Sequence, residues 1–342
     1  MAKAGRRSAL GHFFYDLRYR IGEYSLRGFI RFLPSVPFRL ATRFTSFMAW
    51  LAFLVLWRYR ERMEDNLVAS LGQEVADPIA RKALVWQAWN NFARTVLDTT
   101  VLMHLSKEKI VAMVALEGED HLRRALERGK GVLALSAHLG SFTMIGARLA
   151  ASGYPFSVVV KHPAHKRFAQ LTDDYRTQVG IHTIPAKPRR DAVRGILKAL
   201  RDNRIVMVIA DEFKSGDLLV DFFGLTVPAP RGPATLALRT GAVTLPMFAI
   251  RQPDDSLVLS IGAPIESVGG EDLDAGVAAT TALYTQHLEQ AIRRYPAQWN
   301  WLGLPRRGDK MSRAQLARNE KQARQSAAEQ STAEIRKTGT SA

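Results

Sequence analysis

The chain is 342 residues long, with 47% hydrophobic and 23% charged residues and a formal net charge of +16. That mixture supplies a substantial core, for one large α/β domain or two smaller ones, and excludes a disordered tail or a disulfide-held secreted mini-protein. With no cysteine, a cysteine nucleophile, a CxxC redox pair, an iron–sulfur cluster and a thiolate zinc site are excluded as well.

So basic a chain prefers anionic partners: nucleic acid, acidic lipid, an acidic protein or a phosphorylated substrate. The charge is unevenly placed. Residues 1–70 carry 12 Lys/Arg against 5 Asp/Glu, residues 306–342 carry 9 against 4, and the 235 residues between hold only +4. From Phe44 to Trp57 the chain reads FTSFMAWLAFLVLW, without a charge. Arg39 and Arg43 precede it, one helical turn apart, and Arg58, Arg60 and Arg62 follow. Fourteen residues are too few to cross about 30 Å of hydrocarbon at about 1.5 Å per residue. Extension back to Val36 gives 22 residues, but puts two arginines in the span or snorkelling from it. The segment therefore predicts a membrane anchor helix, either tilted across the bilayer or lying in its interface, with Trp50, Trp57 and Tyr59 as interfacial aromatics. No small-residue cleavage site follows, so it is not read as a signal peptide.

Further along, GVLALS (131–136), FSVVV (156–160), RIVMVIA (204–210), GAVTLPMFAI (241–250) and LVLSIG (257–262) are short apolar runs. Helical stretches at 120–129, 165–178, 190–201, 230–240 and 276–294 separate or follow them. This alternation predicts an α/β fold with a partly parallel sheet flanked by helices. Residues 220–235, dense in Pro and Gly, predict a rigid loop rather than a strand. Residues from Met311 on show no sustained apolar periodicity and predict a fraying helix or disordered end. The expected division is an anchor region over 1–65, an α/β domain over 66–307 and a basic tail over 308–342.

In such sheets the chemistry gathers at the carboxyl ends of the strands. After 131–136 comes Ala137-His138-Leu139-Gly140-Ser141-Phe142, and after 204–210 comes Asp211-Glu212. His138 suits a general base near neutral pH, and Gly140 lets the backbone pass close to a substrate. A histidine bonded within its own turn is the plainer alternative. The other histidines make no metal-ligand spacing, so no metal is expected. Lys161, Lys166, Arg167, Lys187, Arg189 and Arg190 form either a pocket for phosphate or an acidic protein, or a solvated basic face. Phe222, Phe223 and Gly224 are candidates for the wall of an acyl channel, or for core packing. Arg231, ahead of a helix start, is a candidate anion ligand. That basic stretch lacks interleaved aromatics, and it has neither a Walker loop nor a dinucleotide fingerprint, which argues against a nucleic-acid or nucleotide role.

Taken in order, RMEDNL (62–67), GKGVLALSAHLGSF (129–142), KPRR (187–190), IVMVIADE (205–212), VDFFGLTVPAPRGPATLALRTGAVTLP (220–246) and YPAQWNWLGLPRR (295–307) resemble the bacterial lipid A biosynthesis acyltransferases of the lysophospholipid acyltransferase superfamily. The resemblance covers nearly the whole chain up to about Arg307. It implies a glycerol-phosphate-acyltransferase-like fold at the cytoplasmic face of a bacterial inner membrane. It also implies transfer of a fatty acyl group from acyl carrier protein to a hydroxyl of an anionic lipid or phosphorylated glycolipid, with no cofactor. The family histidine falls on His138, and the family anion-binding region on Arg189 and Arg231. The family acid, five positions after the histidine, falls on Thr143, which orients an imidazole without supplying charge. Three readings follow: Asp211 or Glu212 replaces the acid; the enzyme transfers an aminoacyl or other N-linked group; or the chain is an impaired homologue that binds lipid or carrier protein.

Overall fold

A computed structural model describes residues 36–102, 105–162, 166–213 and 216–304, with Tyr24, Gly28 and Phe32 singly; the side chains of Leu102, Lys166, Arg167 and Phe168 are also outside it. The predicted basic tail, and the part of the anchor region before residue 36 apart from those three residues, lie outside the described residues.

Two helices open the described chain, α1 (Phe38–Val55) and α2 (Trp57–Leu71). They are separated by a single non-helical residue, Leu56, so the uncharged run is divided rather than continuous. A long helix, α3 (Pro78–Leu102), follows, started by Asp77, whose carboxylate accepts from the Ile79 and Ala80 N–H groups. Such a cap satisfies donors that the first turn leaves unpaired. α1 lies along α3: Ala41 packs with Leu97, Trp89 donates to the Ala49 carbonyl at 2.9 Å, and Phe53 meets Trp86 and Trp89 edge-on. Its other face leaves Phe44, Phe47, Trp50, Leu51 and Leu54 exposed. α2 runs through the expected boundary at residue 65, since Met63, Asn66 and Leu67 are buried on one face.

Next come α4 (Lys107–Met113), β1 (Val114–Glu117), α5 (Glu119–Glu127), β2 (Val132–Ser136), α6 (Thr143–Ala151), β3 (Phe156–Val160) and α7 (Lys166–Val179). After them come β4 (His182–Pro185), α8 (Arg189–Arg201), β5 (Ile205–Ile209), β6 (Leu218–Phe222), β7 (Leu225–Ala229) and α9 (Gly232–Thr240). The chain then forms β8 (Val243–Arg251), β9 (Leu257–Ile261), α10 (Leu273–Arg294) and a 3-10 turn at Pro296–Gln298. Seven strands make one sheet in the order β1-β9-β8-β2-β5-β3-β4. Every pairing in it is parallel except β8 with β9, as the alternation of runs predicts.

β2 is central and wholly buried, so its sequence is apolar without alternation. Its side chains still divide by the two-residue period. Leu133 and Leu135 face a core shared with α2, α3, α9 and α10, while Val132 and Ala134 face one built with α4, α5 and α6. The rigid loop expected at 220–235 is instead an antiparallel hairpin, β6 with β7. Phe223 and Gly224 take φ of +57° and +71° between the strands, the conformation a tight hairpin needs.

Candidate active site

β2 and β5 are neighbours in parallel register, with Ser136 opposite Ile209. Two residues past that pair stand His138 and Asp211, so the register itself brings them together. His138 Nδ1 lies 2.9 Å from Asp211 Oδ1, and the His138 backbone N–H donates to Asp211 Oδ2 at 2.8 Å. The imidazole is 28% exposed and the carboxylate 1%. A carboxylate oxygen opposite Nδ1 assigns the ring proton to Nδ1 and the lone pair to Nε2. Glu212, next in sequence, is exposed. Of the two acids read as replacements for the missing family carboxylate, the one that meets the imidazole is Asp211.

The turn after β2 is held from several sides. Gly140 has φ +59°, and a Cβ there would lie 2.2 Å from the Ala249 carbonyl oxygen, so backbone passes where no side chain fits. Gly140 N–H donates to the Gln298 carbonyl, Asn300 N–H to the His138 carbonyl, and Leu139 bridges Trp299. Thr95 of α3 donates to the Gly140 carbonyl at 3.0 Å. Phe142 meets the imidazole edge-on, with ring centres 5.0 Å apart.

Thr143 opens α6, but its hydroxyl bonds to that of Thr99 at 2.8 Å. The expectation that Thr143 orients His138 is thus not what the side chains do, because Asp211 occupies Nδ1. Beside it, Ser141 Oγ donates to Asp98 Oδ2 at 2.6 Å, and Arg251 also reaches that oxygen. Asp98 and Arg251 are both buried. Burial pushes the Asp98 carboxyl up against the pull of Arg251, and burial pulls the Arg251 guanidinium down. No spacing in the sequence relates residues 98, 141 and 251, so this ion pair leaves no local signal.

The remaining candidates spread out. Lys161 follows β3, while Arg189 and Arg190 open α8 after β4, all three exposed. β3 and β4 are parallel to β2 through β5, so these cations stand at the same end of the sheet as His138. Phe222 and Phe223 are buried, their rings packed against Phe213, Trp299 and Trp301. Gly224 is exposed in the hairpin turn. The Phe223 N–H donates to Glu289 at 2.6 Å, and Arg293, bonded to Glu289, lies over the Phe223 ring. Arg231 is ion-paired with Asp274. Among the described residues no group of three or more His, Asp or Glu is arranged to hold a metal ion. A second histidine–carboxylate pair, His162 with Asp173 at 2.8 Å, has both members about a quarter to a third exposed, as in a surface pair.

The sequence pattern of the bacterial lipid A biosynthesis acyltransferases matches residues 15–306. A phosphatidylinositol mannoside acyltransferase of Mycobacterium tuberculosis is 28% identical over 247 residues, covering 71% of this chain and 75% of that protein. The phosphatidylinositol mannoside acyltransferase of Mycolicibacterium smegmatis is 25% identical over the same length, covering 78% of its own chain. A lipid A biosynthesis palmitoleoyltransferase of Escherichia coli is 23% identical over 225 residues, covering 65% of this chain and 71% of that one.

Proposed function

The chain belongs to the bacterial lipid A biosynthesis acyltransferase family, and on that footing we propose that it moves a fatty acyl group from acyl carrier protein to a hydroxyl of a glycolipid or phosphorylated lipid. His138 is the general base and Asp211 its partner. The observation that carries this reading is the buried Asp211 carboxylate 2.9 Å from Nδ1 of a part-exposed imidazole at a strand end. With its proton on Nδ1, the ring takes the acceptor's hydroxyl proton at Nε2. The hydroxyl oxygen attacks the thioester carbonyl, a carbon–oxygen bond forms and the carbon–sulfur bond breaks. The leaving thiolate takes the proton back from Nε2. Asp211 stabilises the imidazolium between these steps, the part a carboxylate plays beside a catalytic histidine elsewhere. The reading as an impaired homologue rested on Thr143; the Asp211 contact supports catalysis instead.

Lys161, Arg189 and Arg190 supply exposed cations for a phosphate group or an acidic carrier protein at the same end of the sheet. Arg231 is left out, since Asp274 holds it. The mannolipid relatives favour a glycosylated acceptor over a bare phospholipid. We place the enzyme on the cytoplasmic face of the inner membrane with α1 lying flat in the interface. One face of α1 packs on α3, whose Asn91, Arg94 and Asp98 are unsuited to hydrocarbon, while Phe44, Phe47 and Trp50 are exposed between Arg39, Arg43, Arg58 and Arg60.

The test uses purified full-length protein, palmitoyl-loaded acyl carrier protein and dispersed phosphatidylinositol mannoside, following release of the carrier thiol. His138→Ala is expected to lower the acceptor-dependent rate by about 10³-fold or more. An unchanged rate removes His138 from the mechanism. A product heavier by an amino-acid residue rather than an acyl chain establishes the aminoacyl alternative.

A further inference from the structure

Three consecutive residues, from the last of the 3-10 turn onward, touch both members of the dyad. Gln298, Trp299 and Asn300 lie antiparallel to His138, Leu139 and Gly140, closing the backbone bonds from Gly140 to Gln298 and from Asn300 to His138. The central side chain turns inward, and its indole Nε1–H donates to Asp211 Oδ2 at 2.8 Å. Oδ2 thus accepts from two donors, His138 N–H and the indole, while Oδ1 faces Nδ1. Trp299 is fully buried. Its ring packs on Phe222, Phe223 and Trp301 at centre distances of 5.8, 6.4 and 4.7 Å.

The clamp is itself tied down. Arg62 donates to the Leu302 and Leu304 carbonyls, Asn66 to the Trp301 carbonyl at 2.6 Å, and Asn91 to the Ala297 carbonyl at 2.8 Å. Gln298 bonds the Arg251 backbone through both its amide oxygen and its nitrogen. A carboxylate on a short side chain can rotate about its last torsion unless both oxygens are held. Here the imidazole Nδ1 holds Oδ1, while Oδ2 is held by the His138 N–H and, from outside the sheet, by the indole.

We propose that Trp299 is the positioning residue of the dyad: it fixes the plane of the Asp211 carboxylate so that Oδ1 stays on His138 Nδ1, and so selects the Nδ1–H tautomer that leaves Nε2 basic. The proposal rests on the acyl-transfer reading for its kinetic arm alone. Hydrogen bonds to a charged group are among the stronger ones, and outer-shell donors that orient the ligands of metal sites change activity about 10–100-fold when lost, which sets the scale expected here.

The experiment compares wild type with Trp299→Phe, Asp211→Asn and the double variant, all full-length. Phenylalanine keeps an aromatic ring in the stack while removing the donor together with part of the indole's volume, so the tautomer, rather than stability, decides the role. Trp299→Phe is expected to lower kcat about tenfold with KM little changed. The double variant is expected to be no slower than Asp211→Asn alone, because the indole acts only through the carboxylate. Losses that multiply overturn the proposal and reduce Trp299 to packing. A second arm needs no turnover: ring-¹⁵N-labelled histidine spectra, with His138 assigned by its loss in His138→Ala, read the tautomer directly. The expected result is Nδ1–H in wild type and a mixture in Trp299→Phe; an unchanged tautomer overturns the proposal even where acyl transfer is seen. A wild type that turns over no acyl thioester, yet loses its Nδ1–H tautomer in Trp299→Phe, refutes the acyl-transfer reading and supports the positioning role.

Discussion

Replacing Asp211 by Asn changes one oxygen for an NH₂ group in a site that is 1% exposed, and the structure dictates which way that amide turns. Its oxygen can face the two N–H donors, His138 N and Trp299 Nε1, or the single ring nitrogen Nδ1. The first choice keeps two hydrogen bonds; the second sets an NH₂ against two donors, leaving both unpaired in a buried place. The oxygen therefore faces the pair, and the NH₂ faces Nδ1. His138 must then accept at Nδ1 and carry its proton on Nε2, the wrong tautomer for a base. Loss of the partner charge adds to this. The comparable change beside the histidine of a serine protease costs about 10⁴ in kcat, so a loss of about 10³–10⁴ is expected here, or about 4–5.5 kcal/mol. Folding should suffer less. Three charge-assisted bonds become neutral ones, about 2–3 kcal/mol in all, or several degrees of melting temperature. Acceptor-dependent release of the carrier thiol, measured beside a thermal melt, tests both halves. Turnover within tenfold of wild type in a protein that melts normally would refute the dyad.

Thr143→Val should cost about 1 kcal/mol through the lost Thr99 bond and leave turnover within about threefold. Thr143→Glu, which restores the acid of the family pattern, should bring no gain, since Asp211 already holds Nδ1; a large rise in turnover would show the native dyad to be incomplete. Asp98→Ala leaves Arg251 buried without its carboxylate and should lower stability by about 3–5 kcal/mol, whereas Asp98→Leu with Arg251→Met should recover much of that in urea titrations. Tyr175 has a buried hydroxyl without a hydrogen-bond partner among the described residues, and burial pushes its ionisation above the usual tyrosine range. Tyr175→Phe should therefore be neutral or stabilising by about 1 kcal/mol near neutral pH. Above about pH 10 the unfolded tyrosine loses its proton and the folded one keeps it. Wild-type stability then falls with rising pH and the advantage of the variant widens; a difference that stays flat to high pH would contradict this.

Most of the sheet was legible because five of its strands are short apolar runs and helices lie between several of them. β1 and β4 escaped because four residues with partly exposed positions, VALE and HTIP, make no run. The hairpin at 218–229 escaped because Pro228 argues against a strand, yet a two-stranded hairpin has an outer edge on both sides where proline is tolerated. His138 was readable from its place after a strand. Its partner was readable only as a choice between Asp211 and Glu212, because a single chain does not display register. The Trp299 contact with Asp211 joins residues 88 apart, and no local pattern announces it. The clearest signal in retrospect is Trp299-Asn300-Trp301, where alternate large aromatics put both indoles on one side of an extended segment.

The threonine at the family's acidic position then has a physical explanation. An acid five residues after the histidine reaches the imidazole from the helix that follows it, α6. An acid two residues past the end of the neighbouring strand reaches the same nitrogen from the side, by register alone. The second arrangement seats its carboxylate among His138 N–H, Trp299 and the imidazole, all within 2.9 Å, and needs nothing from α6. That helix is free to open with a neutral residue, and Thr143 spends its hydroxyl on Thr99, one residue from Asp98. A glutamate at 143 would add a second negative charge to a region where Asp98 is already buried and bonded to Ser141 and Arg251. A threonine at 143 thus suits the network behind the turn, and on the proposed role of Asp211 the site needs no second acid there.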